Sequence, residues 1–292
     1  MYAIFAFIFL IKFLYGDDLN PVVHLFIKDQ PEDMDYAKDE ASCTGTILGG
    51  KFILTAAHCV FTKDHCEKDM RKDYDNLYIP GKRIKVEYDG FCAETRKECR
   101  ENNKPKTVGV KKVFFHKRYV EDNCKEGDLA ILELEEHIGD RKVAVNFKKD
   151  FIPQKLLGFG FGYNPYKDER TFTLQYDTFI VTKCLHSRIP EGTFCTDESR
   201  NNFCKGDSGG PLMTRDRIIY GVVSGGTSCD YIIKEWKKKS KSKRELLKGN
   251  KNYLTSHFLN FICTIVQEDK QNPVDGCEKY ENVSKTEIRE FE

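Results

Sequence analysis

An all-β fold is predicted for this chain of 292 residues on three observations. Apolar segments are short, several carry β-branched or aromatic residues in partial alternation, and Gly, Asp, Asn or Pro fall between them. Successive side chains along a strand face opposite sides, so segments of this length bury one face each in a barrel or a sandwich.

In chain order the strand candidates are Val22–Ile27, Thr46–Ala57, Asn76–Ile79, Val108–Phe115, Leu129–Leu134, Leu156–Tyr163, Thr173–Val181 and Ile218–Ser224. One helix is expected at Tyr253–Val266, because Leu254, Phe258, Phe261 and Ile262 recur at helical spacing and share a face. No internal repeat is visible. Asp29–Glu40, Lys63–Asp75 and Glu94–Lys106 are charged and nearly free of apolar periodicity, as surface insertions are. Lys234–Lys251 carries nine Lys or Arg against Glu235 and Glu245. Such a run reads either as a solvated loop or exposed helix, or as an electrostatic dock for polyanions or acidic substrates.

Apolar residues make up 40% of the chain and formal net charge is +1. That balance supports a real core and gives no whole-protein field to favour nucleic acid or membrane, so no nucleic-acid partner is expected. The apolar run in residues 1–16 is shorter than the roughly 20 residues that span a bilayer. It reads as a secretory signal peptide, against the alternatives of a buried strand or a short membrane anchor. The 12 cysteines are even in number, scattered, and contain no C-x-x-C pair, which fits disulfides in an oxidising compartment rather than a zinc site. No metal and no organic cofactor is implied. Asn282-Val283-Ser284 is a glycosylation sequon. A secreted, extracellular protein follows from these features together.

Three motifs carry chemistry: Leu54-Thr55-Ala56-Ala57-His58-Cys59, Asp128-Leu129-Ala130-Ile131-Leu132, and Cys204-Lys205-Gly206-Asp207-Ser208-Gly209-Gly210-Pro211-Leu212. A serine hydroxyl needs a base to take its proton, and histidine, with an unperturbed pKa of about 6.5, can accept and return one near neutral pH. A carboxylate then holds the other ring nitrogen as a donor, and two convergent backbone N–H groups meet the developing oxyanion. In the order His, Asp, Ser, these motifs resemble the chymotrypsin/trypsin family of serine peptidases, over about Pro21 to Cys263. An α/β-fold esterase is the weaker reading, because it needs the order Ser, acid, His, whereas the serine here comes last.

The resemblance implies two antiparallel six-stranded β-barrels with a C-terminal helix. The first barrel would fall at about 17–145, the second at about 146–252, the helix at about 253–266 and a tail at 267–292. It implies His58, Asp128 and Ser208 as catalytic residues, with Gly206 and Ser208 donating to the oxyanion. It implies Asn202 as the floor of the specificity pocket, Ser224 behind Asp128, and Gly226 on the strand that pairs with substrate. A neutral Asn202 argues against cleavage after Arg or Lys, since a buried cation there would have no counter-charge. Gly225, where the family often has tryptophan, widens the neighbouring subsites. Implied disulfides are Cys43–Cys59, Cys184–Cys195 and Cys204–Cys229; Cys66, Cys92, Cys99, Cys124, Cys263 and Cys277 remain, with 15 connectivities open. The extra cysteines and the Ile262-Cys263 ending resemble a divergent nematode branch of the family. Implied partners are polypeptide substrates and protein inhibitors.

One feature of the resemblance is missing. Family members expose a branched apolar N-terminus after a basic cleavage site, and its α-amino group pairs with the acid before the nucleophile, here Asp207. No such site precedes Pro21. Asp207 is therefore expected to have another partner, to meet a terminus outside this sequence, or to mark a weak or inactive homologue that acts by binding.

Overall fold

The computed structural model describes residues 20–27, 41–62, 65–91, 104–149, 151–164, 169–170, 173–237, 247–277 and 288–291. The signal-like residues 1–16, Cys92, Cys99, the sequon at Asn282 and residues 238–246 of the basic run lie outside these.

Two closed six-stranded antiparallel barrels follow one another. In the first, β1 (Val22–Ile27), β2 (Ala41–Leu48), β3 (Phe52–Thr55), β4 (Ile84–Tyr88), β5 (Lys106–His116) and β6 (Ala130–Leu134) run in the order β5-β4-β1-β2-β3-β6, and β5–β6 pairing closes the ring. Alternation explains its interior. Val23 and Leu25 of β1 join Ile47, Ile53, Val86, Val113 and Leu132 inside the barrel, while Val22 faces the other way. Each such fully buried side chain contributes about 1.5–3 kcal/mol.

The second barrel follows β7 (Ala144–Val145) and comprises β8 (Lys155–Gly160), β11 (Gln175–Thr182), β12 (Thr193–Thr196), β13 (Pro211–Met213), β14 (Ile218–Gly225) and β15 (Asn250–Leu254). A two-strand ribbon, β9 (Tyr163–Asn164) and β10 (Glu169–Arg170), leaves it after β8. Strand order is β13-β8-β11-β12-β15-β14, closed by β13–β14, and β7 adds to β14 in parallel. Leu156, Phe179, Phe194, Leu212 and Val223 fill it. A shared cluster with Leu54, Phe114, Leu129, Phe159, Phe261 and Ile262 joins the barrels to the helix Leu259–Val266 and fixes the cleft between them.

Several sequence expectations need correction. The expected strand Thr46–Ala57 contains a turn at Gly49–Lys51 and is two strands of a hairpin. Asn76–Ile79 is not a strand: Met70–Leu77 is a helix, after which Tyr78 makes a single bridge to Phe61. That helix buries Met70 and Leu77 against the first barrel, seven residues apart in a charged segment, which is too sparse a signal to read as periodicity. The C-terminal helix starts at Leu259, not Tyr253. Tyr253 pairs with Val222 and Thr193 in β15, and Thr255 Oγ1 donates to Ile219 O at 2.7 Å, so sheet pairing claims the first turn of the expected helix. The supposed tail also contributes β16 (Ile288–Phe291), which pairs with β5 and stacks Phe291 on Tyr78 and Phe115.

Candidate active site

The site lies where loops from both barrels meet. His58 sits in the 3₁₀ turn Ala57–Val60 that follows β3, and Cys59 in the same turn is tied to Cys43 of β2. Asp128 precedes β6, the strand that pairs with β3, so its distance to His58 is set by a sheet register. His58 Nδ1 meets Asp128 Oδ2 at 2.8 Å, His58 N donates to Asp128 Oδ1 at 2.8 Å, and Ser224 Oγ donates to Oδ2 at 2.6 Å. Asp128 is buried, whereas the His58 side chain keeps 30% exposure, as a group that exchanges protons with a substrate requires.

Burial opposes a charge on His58, but the adjacent Asp128 carboxylate outweighs it and raises the imidazole above its ordinary value, with Lys251 acting weakly in the opposite sense. Burial alone would raise the Asp128 carboxyl. The charge and hydrogen bond of His58, helped by Ser224, hold it below its ordinary value.

Ser208 arrives from the second barrel on the loop before β13. This loop is bolted to the first barrel: Thr44 N donates to Ser208 O at 2.8 Å and Thr44 Oγ1 to Gly206 O at 2.7 Å. Gly209 has φ +80°, and a Cβ there would lie 2.0 Å from Thr55 Oγ1, so only glycine lets the loop pass under the first barrel. Gly206, at φ +99°, turns its peptide in the same way. Among the described residues neither Gly206 N nor Ser208 N donates to a protein acceptor, which leaves both amides uncommitted beside the serine. Ser208 Oγ likewise makes no protein hydrogen bond among the described residues.

Asp207 is held differently. Its Oδ1 accepts Gly162 N at 2.8 Å and its Oδ2 accepts Cys204 N at 2.8 Å, with no ion pair among the described residues. Burial pushes this carboxyl up to about 6, against the pull of the two amides. Asp207 lines a cavity of about 230 Å³ with Gly160, Tyr163, Gln175 and Asn202.

Asn202 lines the Asp207 cavity, and its Nδ2 also donates to the backbone oxygen of Thr227 at 3.5 Å, a residue in the wall of the cavity that holds Ser224 and Gly226. Its Nδ2 reaches Cys229 Sγ at 3.2 Å, and its buried Oδ1 has no partner among the described residues. Ser224 and Gly226 line a separate cavity of about 610 Å³ with His186, Gly225, Thr227, Tyr231, Lys248 and Lys251. Of these, Tyr231 and His186 escape sequence reasoning, as does Thr44, because their contacts with the site are long-range, whereas Lys248 and Lys251 belong to the basic run Lys234–Lys251.

The structure joins Cys43 to Cys59, Cys184 to Cys195, Cys204 to Cys229, and also Cys66 to Cys124 and Cys263 to Cys277. Two groups bring His and Cys ligand atoms together, Cys43, His58 and Cys59, and His65, Cys66 and Cys124. Their sulfurs are committed to disulfides, so neither group offers a thiolate.

The family model for Trypsin matches residues 30–233. The chain belongs to the trypsin family. It is 29% identical over 249 residues to the complement C1r-A subcomponent of Mus musculus, a match that covers 73% of this chain and 33% of that protein. The chain thus spans about a third of that relative's length. It is 28% identical over 236 residues to the trypsin-like protease try-5 of Caenorhabditis elegans, covering 66% of this chain and 71% of that one. Among solved structures, the scabies mite inactivated protease paralogue S-I1 superposes with a TM-score of 0.58 at 18% identity, covering 85% of this chain and 95% of the other. At that identity the likeness is one of trypsin-like fold.

Proposed function

We propose that this trypsin-family chain is a secreted serine endopeptidase that works through His58, Asp128 and Ser208. The observation that carries the reading is the clamp of Asp128 on both His58 Nδ1 and His58 N, with Ser208 beside two uncommitted backbone amides. In this reading Ser208 Oγ attacks the scissile carbonyl while His58 Nε2 takes its proton, and Asp128 stabilises the imidazolium that results. Gly206 N and Ser208 N receive the oxyanion, a contribution of about 3–4 kcal/mol per donor. His58 then protonates the leaving amine, and water, activated by the same base, hydrolyses the acyl-enzyme. Cleavage after Arg or Lys is not expected, because among the described residues no carboxylate lines the pocket beside Ser224. Protein inhibitors of such cleavage are natural partners, and the Lys234–Lys251 run is a further contact for polyanions. The five disulfides among the described residues suit an oxidising, extracellular setting.

A second reading, a weak or inactive homologue that acts by binding, is favoured by one observation. Asp207 has backbone amides rather than a cation as its partners among the described residues, so the loop that presents Gly206 is anchored by a carboxyl that is costly to ionise. Labelling of the folded protein with a fluorophosphonate, beside a Ser208→Ala control, separates the two. Labelling that disappears in the control is the expected result, and absence of labelling in disulfide-intact protein would favour the homologue.

A further inference from the structure

We propose that the cavity beside Ser224 selects an acidic side chain, aspartate or glutamate, on the residue that donates the scissile carbonyl, with Lys251 as its counter-charge. The proposal rests on the peptidase reading and names the substrate class of that same site.

The position of the cavity is fixed by strand pairing. Ser224, which donates to Asp128, forms one wall, and Lys251 stands opposite Gly225 and Cys195 in β15. Lys251 also lies near enough to His58 for its charge to be felt there, so the cavity adjoins the triad. Its mouth is open: a Cβ added at Gly225 would meet nothing within 4 Å.

The charge of the lining points one way. Lys248 and Lys251 both line the cavity, no carboxylate does, and neither lysine forms an ion pair among the described residues. Glu198, an acid behind the wall, is 1% exposed. It accepts Thr227 N at 2.7 Å, Thr227 Oγ1 at 2.8 Å and Gly249 N at 3.0 Å, so it shapes the wall and is not the counter-ion of Lys251. Beneath Gly226, Asn250 is fully buried with both polar side-chain atoms unpartnered among the described residues, and its Oδ1 is the atom turned toward Gly226. A half-buried cation with no committed counter-ion is the chemistry that recognises a carboxylate. An Arg or Lys side chain would meet like charge there.

The test uses the full disulfide-bonded chain and peptide amides that differ only at the residue before the cut: Asp, Glu, Ala, Phe or Arg. Cleavage after Asp or Glu is expected to exceed the others at least about tenfold, a difference that shrinks in high salt. In Lys251→Gln the Asp-to-Ala ratio should fall about ten- to a hundredfold, Lys248→Gln should lower it less, and Lys251→Glu should move the preference toward Arg. Fluorophosphonate labelling runs alongside. Labelling with an apolar preference that Lys251→Gln leaves in place overturns the acidic pocket and keeps the peptidase. If neither labelling nor cleavage occurs, calorimetry with an amidated peptide carrying Asp or Asn at the same position decides. Tighter binding of the Asp peptide that Lys251→Gln abolishes supports the pocket, and equal binding of the two overturns it.

Discussion

Two carboxylates flank the same serine, and the molecule treats them in opposite ways. Asp128 has a cation to meet, His58, and a hydroxyl donor, Ser224, and its carboxyl sits below the ordinary range. Asp207 has two backbone amides and its carboxyl rises to about 6. Hydrogen bonds from amides soften the burial of a charge but do not replace an opposite charge close by. Asp128 is thus poised to stabilise positive charge on its neighbour, whereas Asp207 acts as a structural peg whose protonation is coupled to pH.

The largest effect tests the first half of this contrast. Asp128→Asn keeps the shape but offers His58 an amide in place of a carboxylate, and peptide hydrolysis should fall by about 10⁴, as in the family's template. The turnover number reports it, and a loss of less than tenfold would remove Asp128 from the role given to it here.

The second half is tested by stability against pH. Because the folded-state value of Asp207 lies above its ordinary one, the stability tied to it is whole below about pH 4 and is lost as pH rises through about 6. The urea midpoint of the wild type should therefore decline relative to Asp207→Asn over that window, and parallel curves would break the comparison. His58 contributes a loss of the same sign at higher pH, above its ordinary value, and it is common to both proteins.

Ser224→Ala removes the hydroxyl donor from Asp128 at a cost of about 1 kcal/mol, a several-fold loss in kcat/KM with little change in fold. The smallest effect sharpens the picture. Activity needs neutral His58, so it should rise with pH across a limb above the ordinary imidazole value. Lys251→Gln takes away a cation that lowers His58, so the limb should move to higher pH.

What the sequence reveals follows from the range of each interaction. The three motifs carry their chemistry within a few residues, so His58, Asp128 and Ser208 stand out before any folding. Val22–Ile27 is legible as a strand because five apolar residues and one turn boundary define it locally. The strands Thr193–Thr196 and Asn250–Leu254 are not, since polar residues such as Thr196, Asn250 and Asn252 are wholly buried by pairing that only the closed barrel supplies. For the same reason, Lys251 is not distinguished from its neighbours within the basic run. It falls at the end of a run of lysines, and only the register between β14 and β15 separates it from them by placing it beside Ser224.

The strand Ile288–Phe291 carries a consequence for the order of events during synthesis. It pairs with β5, yet the whole second barrel is made between β6 and this strand. The first barrel closes early through β5 and β6, but the strand that covers the end of β5 is made last. Until residues 288–291 have emerged, Phe115 and Tyr78 lack the ring of Phe291 and His116 lacks its partner Ile288. During that interval the nascent chain carries an open edge that a second copy can meet, so chaperone demand should be concentrated in the time needed to translate the second barrel.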